Sequence, residues 1–158
     1  SAFVRSGEGN FISFSEAAGM SGTVMPELDA DRLAQHRVLV LGDLPASALS
    51  DPAGAAIRDF VDKGGGLLLL GAAQAYGRSG LHAVPAVREL FPALPRDGAR
   101  MQEGRFTVDL TPAGRAHPAL GGLPPELTLP PVLSFWGPVD VNQFSTVLVA
   151  AADGSPQP

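Results

Sequence analysis

The chain has no cysteine. That removes disulfides, thiolate nucleophiles and cysteine-held metal from consideration. It also leaves the redox compartment undecided, because a domain of this size holds together without disulfides on either side of a membrane. An excess of positive charge is missing too. Lys and Arg number 11 against 16 Asp and Glu, a formal net charge of −5, so no basic footprint exists for neutralising nucleic-acid phosphates. Long apolar runs are absent: the best candidate, Leu67 to Ala73, is interrupted by Gly71 and falls far short of the roughly 20 residues that cross a bilayer. The start shows no ordered charged, apolar and small-residue zones of a signal peptide. It opens on Ser1-Ala2 without a methionine, which suggests a segment cut from a longer protein. Localisation is therefore left open: a soluble domain, whose parent protein could be membrane-anchored.

What is there reads as one folded domain over residues 1–158. Hydrophobic residues make up 45 % and charged residues 17 %, an ordinary globular balance with enough apolar side chains for a sizeable core. Short apolar runs alternate with amphipathic segments. Phe3-Val4 ends a first strand, and Asn10 caps a helix carrying Phe11, Phe14 and Ala18 on one face, stopped near Gly19 to Gly22. Thr23 to Asp31 reads as a short strand or loop. Val38 to Leu41 is a continuous β-branched and leucine run closed by Gly42-Asp43, the pattern of a strand buried on both faces.

The segment after it is the best defined. Asp51 reads as an N-cap and Pro52 suits a first helical position. Ala53, Ile57, Phe60 and Val61 recur at helical spacing, and Gly64-Gly65-Gly66 stops the helix. Leu67 to Leu70 then read as a second buried strand, which makes residues 38–70 one strand–helix–strand crossover. A loop follows over residues 72–80. Val84, Val87, Leu90 and Phe91 suggest a short helix ended by Pro92 and Pro95. Phe106, Val108 and Leu110 alternate like a half-buried strand. Residues 111–131, rich in proline and glycine, read as mostly loop. Val132 to Trp136 and Thr146 to Ala150 read as two more strands, and Asp153 to Pro158 as a loose end.

Ligands of an open α/β sheet lie beyond the carboxyl ends of its strands. That places Gly42 and Asp43, and the turn Gly71, Ala72, Ala73, Gln74 and Tyr76, around a candidate ligand site, where backbone N–H groups could hold a carboxylate or another anion. Catalytic motifs are missing. His36, His82 and His117 have no metal-ligand spacing. Ser79 and Ser134 lie in no nucleophile elbow, and neither "GEGN" (residues 7–10) nor "KGGG" (residues 63–66) fits a phosphate loop.

Arg37 to Gly77, with an apolar strand ending Gly42-Asp43, a helix ending "FVDKGGG", the strand "LLLLG" and the loop "AAQAYG", resembles the class I glutamine amidotransferase-like domains of larger bacterial proteins. "LTPAGRAHPAL", Leu110 to Leu120, is similar to a second stretch of those domains. The resemblance implies a three-layer α/β/α sandwich with a mostly parallel central sheet, flavodoxin-like. It also implies a nucleophilic cysteine in the turn after the central strand. Here that turn is Gly71-Ala72-Ala73-Gln74-Ala75, and His117 is followed by Pro118-Ala119 without the family's acidic residue. The expectation is a non-catalytic amidotransferase-like module for ligand binding or protein interaction within a larger protein, with no catalytic residue, no metal and no cofactor. Its expected partner is a small molecule or anion, with no nucleic acid, no membrane contact by this segment and the oligomeric state left open. The alternative is a non-thiol hydrolase or carbohydrate-related enzyme similar to the trehalose-utilisation type, which requires Asp43, Gln74, Tyr76 and His117 to converge.

Overall fold

The computed structural model describes residues 2–4, 19, 23–24, 27–71, 73–124 and 127–151. The proposed helix at residues 10–18, the "GEGN" stretch and the Asp153–Pro158 tail lie outside the described residues. The chain divides into two compact units, Ser1–Phe91 and Pro92–Pro158.

The first unit is built on a four-stranded sheet of β1 (Ala2–Val4), β2 (Thr23–Val24), β3 (Val38–Leu41) and β4 (Gly66–Leu69), in the order β2-β1-β3-β4. All three pairings are parallel. The short helix α1 (Ala30–Leu33) precedes β3, capped by the Asp29 carboxylate on the Arg32 N–H. The helix α2 (Asp51–Asp62) crosses from β3 to β4. Its cap is Ser50, whose hydroxyl accepts from the Ala53 N–H, while Asp51, expected as the cap, is the acidic residue of the first turn. Both residue types can cap. Extended backbone at Ser50 settles which does.

The core of this unit holds three of the four residues that the helical spacing pointed to, while Val61 is only half-buried. Leu39, Val40 and Leu41 of β3 are buried, as are Ala53, Ile57 and Phe60 of α2. Further along the chain, Leu81, Val84, Val87 and Phe91 close the same core, the last three within or flanking α4 (Pro85–Arg88). Gly54 lets α2 come close to this segment, since a Cβ there would sit 3.1 Å from Val84 Cγ1. The glycine stop works as the sequence reads: Gly64 takes φ +92°, and the Gly65 N–H donates to the Phe60 carbonyl at 2.9 Å.

β4 departs from expectation. It is the end strand of the described sheet, half-buried to exposed along its length, with Leu68 40 % exposed. Four consecutive leucines imply burial on both faces only where other elements cover both faces of the sheet. The stretch expected as loop holds a further helical turn, α3 (Ala73–Tyr76).

The second unit overturns the expected architecture. β5 (Ala93–Phe106) pairs antiparallel with β7 (Val132–Val141), and β6 (Val108–Leu110) pairs antiparallel with β8 (Val149–Ala151), in two separate two-stranded sheets. The molecule is not a three-layer α/β/α sandwich around a mostly parallel central sheet, and the flavodoxin-like, glutamine amidotransferase-like description is corrected accordingly. Among the described residues, parallel pairing is confined to four strands of two to four residues, whereas β5 alone has 14. Pro95, expected to end a helix, lies within β5 opposite Val139. The strand accommodates it and Gly98 by shifting register between Pro95 and Arg100, with Gly98 at φ +81°. The expected loop after Leu110 contains α5 (Pro112–Ala116), capped by the Thr111 hydroxyl on the Gly114 N–H at 2.9 Å.

Candidate functional site

The carboxyl ends of β3 and β4 do come together with the turn that follows β4. Asp43 lies just past β3, and its carboxylate reaches across to α3. Oδ2 accepts from the Gln74 N–H at 3.2 Å and Oδ1 from the Ala75 N–H at 2.7 Å, over sequence separations of 31 and 32 residues. A free helix start exposes several unpaired N–H donors. Here the chain's own carboxylate already accepts from two of them. The aspartate does the work of an N-cap from another element.

Tyr76 folds back over the turn. A Cβ at Gly71 would lie 2.5 Å from Tyr76 Cε2 and 2.9 Å from Cδ2, so the missing side chain at Gly71 is what admits the ring. Tyr76 also meets Phe91 edge-on, with ring centroids 5.4 Å apart at 80°. This partial burial pushes the tyrosine hydroxyl above its ordinary value of 10.0, because desolvation disfavours the phenolate.

His82 completes the cluster. Its Nδ1 lies 3.0 Å from the Ala75 carbonyl oxygen. A carbonyl only accepts, so Nδ1 carries the hydrogen in this contact. The ring also stands against Phe91, with centroids 6.2 Å apart. Gly80 holds the local weave: a Cβ there would collide with the Ala75 carbonyl, and the neighbouring Ser79 carbonyl accepts from the Ala46 N–H at 3.0 Å.

Of the residues singled out in the sequence, the structure brings together Asp43, Gln74, Gly71 and Tyr76 around α3. Gly42 is buried directly before Asp43, and Ala73 starts the helix. Ala72 lies outside the described residues. His117 belongs to the second unit, where its Nδ1 accepts from the Ala119 N–H at 3.2 Å and caps a short 3-10 turn. His82 is the neighbour sequence reasoning passed over. Nothing in its spacing marks it, and only the short turn around Gly80 brings it back to Ala75. Among the described residues, no group of three or more His, Cys, Asp and Glu could hold a metal ion, and no helix is long and apolar enough to cross a membrane.

No protein-family model matches the chain, and no curated protein matches it. Solved structures do match. The chain is similar to the cytoplasmic protein STM3548 from Salmonella typhimurium, with a TM-score of 0.77 and 18 % sequence identity. The likeness covers 96 % of this chain and 69 % of that one. At that identity the likeness is one of fold.

Proposed function

We propose that this chain is a non-catalytic module that binds a ligand or a protein partner within a larger protein. The observation supporting this reading is the state of the turn after β4. It offers no thiol or hydroxyl at Ala73, and two of its backbone donors already serve the Asp43 carboxylate. An oxyanion site needs preorganised donors aimed at the reacting oxygen. Donors engaged by a fixed internal carboxylate face a competitor for that role.

The neighbouring polar groups are equally poor catalysts. A general base works best with a pKa near the operating pH, whereas burial moves the Tyr76 hydroxyl further above that range. His82 has Nδ1 committed to a backbone carbonyl, a structural tie that leaves a single nitrogen for chemistry.

The test is to incubate the chain with glutamine, and separately with p-nitrophenyl esters and glycosides, following ammonia or nitrophenol. The expected result is no turnover above the buffer rate. Turnover that disappears in both H82A and Y76F, with melting temperature unchanged, would overturn the reading in favour of a non-thiol hydrolase.

A further inference from the structure

The opposite edge of the parallel sheet carries a groove of about 560 Å³, within the size range of small-molecule sites. It lies at the amino ends of β3 and β4, between α1 and the last turns of α2, where Arg37 immediately precedes β3 and Gly65 immediately precedes β4. Its apolar lining comes from Leu33, Ala56 and Phe60, and Leu33 and Phe60 also belong to the core beneath it. The Gly64-Gly65 shoulder stays bare for a physical reason: Gly64 has φ +92°, and a Cβ on Gly65 would strike the Phe60 ring.

The charges on the rim sort themselves. Lys63 is already paired with Asp59 at 2.6 Å along α2. Asp31 and Arg37 are different: both line the groove, and among the described residues neither side chain makes an ion pair or hydrogen bond. A negative and a positive group, both uncommitted, thus share one concavity with an apolar floor. The carbonyl-rich end of α2 adds negative potential near Gly64. An anion alone would leave Asp31 repelling it, and a cation alone would leave Arg37 doing so. A ligand carrying both charges close together, with an apolar substituent for the floor, meets all three features.

We infer that this groove binds a small zwitterion with an apolar side chain, of the amino-acid or dipeptide class. Its carboxylate pairs with Arg37, where a guanidinium can bind bidentately. Its ammonium faces Asp31 and the end of α2, and its side chain lies over Phe60. The site is separate from the Asp43–Tyr76 turn and stands whether or not that turn catalyses anything.

The experiment is an amide-resolved NMR titration of the full chain with L-leucine, N-acetyl-leucine and leucinamide as probes. L-leucine is expected to shift the Arg37, Gly64 and Gly65 amides saturably, with a Kd on the order of 1 mM for so small a ligand in an open groove. Either capped probe should bind roughly tenfold more weakly, the scale of one lost charge-assisted contact. R37A should weaken L-leucine about tenfold, and D31N should weaken it while leaving N-acetyl-leucine unchanged. Both side chains are on the rim, so an unchanged amide spectrum in each variant verifies the fold. No saturable shift at these amides would overturn the inference, as would equal binding of all three probes. A hydrolytic assay decides the proposal for the other edge, so the two fail independently.

Discussion

Replacing Asp43 by alanine removes the acceptor that ties the start of α3 to the end of β3, and the structure sets the size of the loss. The Gln74 contact, at 3.2 Å on an exposed residue, contributes the smaller share, since water can replace the lost oxygen. The Ala75 contact is 2.7 Å long and its residue is almost wholly buried. Losing a capping side chain costs about 0.5–2 kcal/mol, and stranding a buried N–H costs about 1–3 kcal/mol. These overlap, so D43A should lose about 2 kcal/mol, equivalent to a fall in melting temperature of roughly 4–8 °C for a chain of this length. D43N keeps one carbonyl acceptor without the charge and should lose about half as much. Urea unfolding followed by circular dichroism gives the free energies, and amide exchange at Gln74 and Ala75 gives the location. A D43A chain within about 0.5 kcal/mol of the parent, the ordinary range for surface substitutions, would refute the capping role.

Other expectations follow from the same geometry. G80A places a methyl group against the Ala75 carbonyl and should cost more than about 3 kcal/mol or prevent folding, whereas G122A meets nothing within 4 Å and should leave thermal unfolding unchanged. I57A empties a fully buried position and should cost about 2–5 kcal/mol in urea unfolding. Ultraviolet titration of Tyr76 should give a midpoint above 10.0. The unfolded tyrosine ionises first, so this contribution to stability is intact below the unfolded value and fades as pH climbs through the folded one; a midpoint at or below 10.0 would contradict the burial argument. In the second unit, Leu133 is 68 % and Phe144 87 % exposed, so L133S and F144S should reduce light scattering at high concentration without lowering the melting temperature.

Local signals carried the first unit well. The residues of β3 are those of its apolar run, and α2 shows the core face its spacing implied. Both depend on near neighbours in sequence. β5 was illegible for the opposite reason. Its interior contains Pro95, Gly98 and Gly104, residues that ordinarily punctuate structure. Only pairing with β7, in a register that runs from Ala93 opposite Val141 to Phe106 opposite Val132, holds them in one strand. The candidate site shows the same division. Strand-end reasoning put Asp43 and Gln74 near each other, but the donor that Asp43 meets at 2.7 Å is Ala75. The approach of His82 depends on a tight turn whose geometry no residue spacing encodes. His117 drew attention through its surrounding motif and turned out to cap a turn of its own.

The chain carries one tyrosine and one tryptophan, and they fall in different compact units, Tyr76 in the first and Trp136 in the second. Nature has thereby supplied two intrinsic chromophores, one per unit. Tyrosine near-ultraviolet signals and tryptophan emission can be read from a single unlabelled sample during denaturation. Coincident transitions would mark one cooperative folding unit and separated ones two. The same pair of signals would assign any added compound's stabilising effect to one unit or the other.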